Sequence, residues 1–226
     1  MTAIILQARL DSTRLPKKAL LLLDGKPFVF RVMEALNRVP ANLRILACPK
    51  DSLACFSPLA AEAGFEIFCG PKDDVLERYC RVIRHFGVKR LIRATADSPF
   101  VFIDAAIAIN AEATALKTDY AGYSGLPYGA GVESVNAEAL LRAAREATSP
   151  FDREHVCPYL YTNPEKFSLH RPYAPLRWQG RDLRITVDTQ EDFERAQMLY
   201  SLLKENPQRY CGPAIIKACK GLGNGG

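Results

Sequence analysis

The sequence predicts a three-layer α/β/α fold around a mostly parallel central sheet. Three observations carry that expectation. Four short apolar runs, "AIILQA", "LRILAC", "FEIFCG" and "RLIRAT", have the length and continuity of strands buried on both faces. Segments of helical periodicity separate them, the order that builds a layered α/β sheet. At 226 residues, 48% hydrophobic and 24% charged, the chain has room for one substantial core and is short for two. One domain over residues 1–226 is expected.

The first strand, "AIILQA", gives way to a basic loop. Helices are expected at 28–37, 52–64 and 73–86. The last shows Val75, Leu76, Tyr79, Val82, Ile83 and Phe86 at helical spacing, with Glu77, Arg81 and Arg84 on the other face. Asp73 or Asp74 is placed to cap it. A further helix is expected at 104–116. Residues 120–135 carry four glycines and a proline among short β-like pieces, which predicts a flap or contact segment projecting from the sheet. A helix at 136–147, a polar-aromatic stretch, a strand "LRITVD" and a helix at 189–204 follow. The terminal "GLGNGG" reads as frayed.

Composition excludes several classes of function. No apolar run approaches the roughly 20 residues of a membrane span, and "MTAIILQAR" lacks the layout of a signal peptide, so a cytoplasmic location is expected. Seven scattered cysteines, no CxxC pair and three histidines argue against both a disulfide framework and a zinc site. Reduced, mostly buried thiols are expected instead. A net charge of +5 without long basic runs does not suggest nucleic acid. Local clustering of cations suits a small anionic substrate better.

That clustering is densest in "QARLDSTRLPKK", where Arg9, Arg14, Lys17 and Lys18 accompany the hydroxyls of Ser12 and Thr13. A loop after the first strand of an α/β sheet lies at the carboxyl edge, where such folds bind ligands. It contains neither GxxxxGK nor GxGxxG. Phosphate binding would therefore rest on Arg9, Arg14 and Lys18, with Ser12, Thr13 and backbone amides as further donors. A solvated surface turn is the alternative. Asp97 in "RATADSPF" and Asp188 in "RITVDTQED" each follow an apolar run. Two carboxylates at neighbouring strand ends suit one Mg²⁺ completed by water and phosphate oxygens. Alternatively, each caps the helix after it.

Five motifs in order, "IILQARLDSTRLPKKAL", "GPKDDVLERY", "RATADSP", "FDREHVCPYLYTNPEKF" and "LRITVDTQEDFERA", resemble the cytidylyltransferases that make CMP-activated sugars. The resemblance is strongest to the spore-coat polysaccharide biosynthesis protein F-like branch. It implies a nucleotide-diphospho-sugar transferase-like fold, a homodimer, CTP and a sugar or sugar acid as substrates, and Mg²⁺ as cofactor. The first family motif, close to Q-A-R-x-G-S-T-R-L-P-G-K, is matched at Gln7, Ala8, Arg9, Ser12, Thr13, Arg14, Leu15, Pro16 and Lys18. By resemblance Gln7, Ala8, Arg9, Ser12, Thr13, Arg14 and Lys18 surround the nucleotide, with Arg9, Ser12, Arg14 and Lys18 on its phosphates and Asp97 and Asp188 on the metal. Asp74, Arg78, Arg93 and Thr95 are likewise implied near the nucleotide. Glu133 is implied in the substrate pocket, and Glu154 and His155 in the substrate pocket or a dimer contact.

Asp11 and Lys17 stand where the family has glycine, and Gly131 stands where an acid is usual. Asp11 brings a carboxylate to a site for a polyanion. It is expected to turn outward, towards Arg9, Arg14 and Lys17. Two other functions compete with CMP transfer. A nucleotide-sugar-dependent glycosyltransferase would share a related layered fold, but its Asp-x-Asp metal signature is absent. A non-catalytic module would bind CTP or a CMP-sugar without turnover.

Overall fold

The computed structural model describes residues 1–223. In chain order the strands are β1 (Thr2–Gln7), β2 (Leu22–Leu23), β3 (Lys26–Pro27), β4 (Leu43–Pro49), β5 (Glu66–Gly70), β6 (Arg90–Thr95), β7 (Tyr120–Ala121), β8 (Glu133–Asn136) and β9 (Leu169–His170). The helices are α1 (Phe28–Leu36), α2 (Leu53–Ala63), α3 (Val75–Phe86), α4 (Ile103–Leu116), α5 (Ala137–Glu146), α6 (Pro150–His155), α7 (Pro158–Tyr161), α8 (Gln190–Leu203) and α9 (Gly212–Gly221). Seven strands form one sheet in the order β5-β4-β1-β6-β8-β7-β9, and β2 and β3 form a separate hairpin. β5, β4, β1 and β6 are mutually parallel, and β8 runs antiparallel to both neighbours.

The three layers follow from the side-chain alternation of the central strands. Ile4 and Leu6 of β1 pack in a core beneath α1, α2, α4, α8 and α9. Ala3 and Ile5 face the opposite way, into a core with α3, α5 and α7. A strand covered on both faces has no polar positions to spare, which is why β1 reads as an unbroken apolar run.

Caps set the helix boundaries. Asp74 accepts from the Glu77 amide and starts α3. Asn136 accepts from the Glu138 and Ala139 amides and starts α5. Thr189 and Asp192 form a reciprocal capping box at the start of α8.

Three regions differ from the sequence expectation. "LRITVD" is not a strand of the sheet. Leu183, Ile185 and Val187 are buried, as is Thr186 between them, but the backbone bonds of this segment go to a loop. Tyr128 donates to the Leu183 carbonyl, Ile185 donates to the Tyr128 carbonyl, and Val187 donates to the Asp97 carbonyl, all at 2.9 Å.

Residues 120–135 are tied to the sheet more firmly than their glycines suggest. Tyr120 pairs with Val135 and Ala121 with Ser134, so only 122–132 leave the sheet, and they cross towards 183–188. Gly129 permits that crossing: its φ is +96°, and a Cβ there would lie 2.7 Å from the Thr186 amide nitrogen.

The stretch around 149–167 folds into α6 and α7, and α9 continues the chain beyond α8. Gly221 closes α9, whereas 224–226 of the expected frayed tail lie outside the described residues. All seven cysteines are free. Among the described residues, no helix is long and apolar enough to cross a membrane.

Candidate active site

A cavity of about 700 Å³ opens at the carboxyl edge of β1 and β6. The loops leaving the two strands start side by side, since the Ala96 amide donates to the Gln7 carbonyl at 3.0 Å. One wall is the basic loop, contributing Gln7, Ala8, Arg9, Ser12, Thr13, Arg14 and Lys18. The floor holds Arg78, Arg93, Thr95 and Glu133, the rim Glu154 and His155, and Asp97 and Asp188 complete the lining, Asp188 within 3.1 Å of Lys18. Every residue singled out above as a site candidate lines this cavity except Asp74. Asp74 instead spends its carboxylate on the α3 cap and on an ion pair with Arg153, which also donates to the Ala144 carbonyl. These bonds tie α3, α5 and α6 together behind the rim.

The loop backbone carries its own strain. Lys17 adopts φ 55° and ψ 27°, the left-handed region that glycine enters more readily, and so accounts for the family's glycine there. Asp11 differs from expectation in its partner. Its carboxylate meets Lys72 at 2.8 Å, and Lys72 also bridges to Asp51 at 3.0 Å. Lys72 reaches Asp11 from the loop after β5, a proximity that sequence order hides. Asp11 lines the cavity, but Lys72, shared with Asp51, offsets part of its charge, and Asp11→Gly is expected to change CTP affinity by less than about twofold. Calorimetry at fixed salt checks this, and a clearly tighter complex would mean that the carboxylate opposes the triphosphate.

The two acids also resolve the capping alternative. At α8 the capping is done by Thr189 and Asp192, leaving the Asp188 carboxylate free to accept from Lys18 at 3.1 Å and from Arg184 at 2.5 Å. Burial works to raise its pKa, but Lys18, Arg14 and Arg184 together outweigh it and hold the carboxyl below its ordinary range. Asp97 caps no helix either: its Oδ1 accepts from Thr95 at 2.5 Å and Ser98 at 3.1 Å. The Val187–Asp97 backbone bond brings the two acid-bearing segments together.

The floor is polar and mostly buried. Arg93 pairs with Glu133, and the Tyr120 hydroxyl donates to the other Glu133 oxygen at 2.9 Å. Burial opposes the charge on Arg93, yet the Glu133 carboxylate more than compensates and raises its pKa. Arg78, 2% exposed, donates to the carbonyls of Pro71 and Lys72 at 2.7–2.9 Å. It passes so close to Gly70 that a Cβ there would lie 2.6 Å from its Cγ.

At the rim, Phe151 packs against His155 with ring centroids 4.4 Å apart and planes tilted by 52°, and Arg9 lies 3.9 Å from Glu154. Val156 ends α6 at φ 75° and ψ −57°, a γ-turn closed by the Cys157 amide on the His155 carbonyl at 2.9 Å. A buried β-branched residue held there stores on the order of 1–3 kcal/mol of strain.

Tyr128, Phe151, Tyr161 and Thr186 also line the cavity and were missed by sequence reasoning. Phe151, Tyr161 and Thr186 lie within the motifs quoted above, whereas Tyr128 lies outside them.

The cytidylyltransferase family model matches residues 3–218. The chain belongs to the cytidylyltransferase family. Membership makes it a CTP-dependent nucleotidyltransferase. Spore coat polysaccharide biosynthesis protein SpsF of Bacillus subtilis is 32% identical over 90% of this chain and 88% of its own length. A cytidylyltransferase structure from Leptospira borgpetersenii superposes with a TM-score of 0.89 at 21% identity, covering 98% of this chain and 94% of its own. A CMP:2-keto-3-deoxy-manno-octonic acid synthetase solved with CTP gives 0.68 at 15% identity, over 88% and 98% of the two chains. At those identities the two structures establish the shared fold.

Proposed function

We propose that this cytidylyltransferase transfers CMP from CTP to a hydroxyl of a sugar or sugar acid, releasing pyrophosphate, and so supplies an activated precursor for surface polysaccharide. The observation that carries the proposal is the convergence of the cations Arg9, Arg14 and Lys18 and the acids Asp97 and Asp188 on one cavity, with Lys18 and Arg14 in contact with Asp188. The likeness to SpsF and to the octonic acid synthetase supports the choice of acceptor.

In this reading Arg9, Arg14, Lys18, Ser12 and Thr13 hold the triphosphate. The acceptor oxygen forms a bond to the α-phosphorus as the bond to the pyrophosphate oxygen breaks, so alignment and charge balance are the main tasks. The basic wall stabilises charge accumulating on pyrophosphate. Arg78 fixes the 71–72 carbonyls beside the nucleotide, and Glu133, Glu154 and His155 face the acceptor.

Among the described residues, no group of three or more His, Cys, Asp or Glu is placed to hold a metal ion. Two carboxylates, completed by water and phosphate oxygens, nevertheless fit a hard divalent cation, and we assign Mg²⁺ to Asp97 and Asp188. The Asp97 Oδ2 makes no hydrogen bond among the described residues and is available for it. When bound, the cation would polarise the α-phosphate. A cytoplasmic homodimer of single-domain subunits completes the proposal, with exposed Tyr173 and Leu176 as apolar contact material.

Pyrophosphate release across the four nucleoside triphosphates, with a panel of sugar acids and amino sugars, tests the assignment. Release with CTP and a sugar acid is expected. Release of a nucleotide from a donor sugar would make the protein a glycosyltransferase, and binding without turnover would make it a binding module. Lys18→Ala is expected to weaken CTP binding about tenfold or more while changing CMP binding far less, because the β- and γ-phosphates carry the additional charge. Equal losses for both nucleotides would move Lys18 away from the distal phosphates.

A further inference from the structure

Asp188 draws three cations onto one carboxylate. On the cavity side, Lys18 Nζ lies 3.1 Å and Arg14 Nη2 3.4 Å from its Oδ1. On the far side, Arg184 donates to Oδ2 at 2.5 Å. Arg184 does not line the cavity; Asp192 lies 3.7 Å from its Nε, and its guanidinium sits 4.9 Å from the Tyr128 ring centroid. Thus Oδ1 occupies the attention of two groups proposed for the phosphates, whereas Oδ2 is anchored from outside.

We infer that Asp188 is a stand-in anion in the nucleotide-free protein, occupying Lys18 and Arg14 until a triphosphate displaces it. The inference rests on the proposed reading of the basic loop as the phosphate site. Phosphate oxygens take over Lys18 and Arg14, and the released Oδ1 becomes available to a divalent cation. Arg184 is a positioning residue: it keeps the carboxylate in place while its other partners leave. Nucleotide and cation are therefore coupled, each binding better once the other has bound, as reciprocity between two sites requires. Without a cation, CTP must compete with Asp188 for its own donors.

Asp97 provides an internal control. It places a second carboxylate in the same cavity, but its contacts are the hydroxyls of Thr95 and Ser98, and it makes no ion pair among the described residues. Removing either acid lowers the negative charge of the cavity equally, while only loss of the Asp188 carboxylate frees Lys18 and Arg14 of their ion pairs, Lys18 keeping its neutral bond to the Val187 carbonyl at 2.5 Å.

The experiment is calorimetric titration of CTP in excess chelator into the wild-type chain, Asp188→Asn, Asp97→Asn and Lys18→Ala, with thermal melts to confirm folding. Asp188→Asn is expected to bind metal-free CTP about tenfold more tightly than wild type, and Asp97→Asn to stay within about threefold. Asp188→Ser is expected to follow Asp188→Asn, so either variant decides if the other fails to fold. Unchanged or weaker binding on loss of the Asp188 carboxylate would overturn the inference, as would equal tightening in Asp97→Asn, which reports cavity charge alone. If Lys18→Ala leaves CTP binding unaltered, the phosphate reading falls and the inference with it. If Lys18→Ala weakens binding but the Asp188 variants do not tighten it, the reading stands and the stand-in role falls.

Discussion

Asp97→Asn is expected to lower the rate of pyrophosphate release about a thousandfold at saturating CTP, the scale of losing a group that organises charge at the reacting phosphate. The fold should survive. The substituted amide keeps an acceptor oxygen for the Thr95 and Ser98 hydroxyls, and no ion pair is lost, because Asp97 makes none among the described residues. The melting temperature should therefore stay within a few degrees of wild type. Measuring both quantities on one preparation separates chemistry from folding. A wild-type rate in this variant would remove Asp97 from the cation site. A collapsed melting temperature would make the aspartate structural.

Glu133→Gln should produce the largest loss of stability. The Glu133 side chain is 20% exposed and that of Arg93 15%, so the pair is well removed from water. Removing one charge from such a pair leaves the other desolvated and uncompensated, which costs about 3 kcal/mol. For a chain of this length that corresponds to a fall in melting temperature of roughly 6–12 °C. Arg93 has one remaining side-chain contact, with Gln7 at 3.4 Å, too long and weak to compensate. The diagnostic control is Arg93→Met combined with Glu133→Gln, which removes both charges. It should be more stable than Glu133→Gln alone. A double variant that loses the full sum of the single losses would show that Glu133 stabilises through Tyr120 instead.

Much of this architecture is legible along the chain because it is local. β1, β4 and β6 are largely buried on both faces, so each reads as an apolar run; these three and the half-exposed edge strand β5 each lie within about two residues of the expected span. Asp74, Asn136 and Thr189 cap by bonding amides two or three residues ahead, a distance that sequence spacing measures directly. The strand "LRITVD" fails for the converse reason. The alternation of apolar Leu183, Ile185 and Val187 along the sequence mimics a strand, but whether the backbone bonds to a sheet or to a loop depends on what lies beside it.

The basic loop and the two acids are visible as residue types at the ends of apolar runs, and the family motifs contain most of the cavity lining. By itself the sequence therefore determined the layered class, the edge of the sheet that carries the site, and the charges available there. Which charge meets which was decided by the tertiary structure alone. Lys72 balances Asp11 from 61 positions away, Lys18 reaches Asp188 across 170, and Asp74 is withdrawn from the cavity by Arg153. Side chains of like charge are interchangeable in a linear reading, because Coulomb attraction depends on distance and solvation, and both are set only when the loops pack over the sheet.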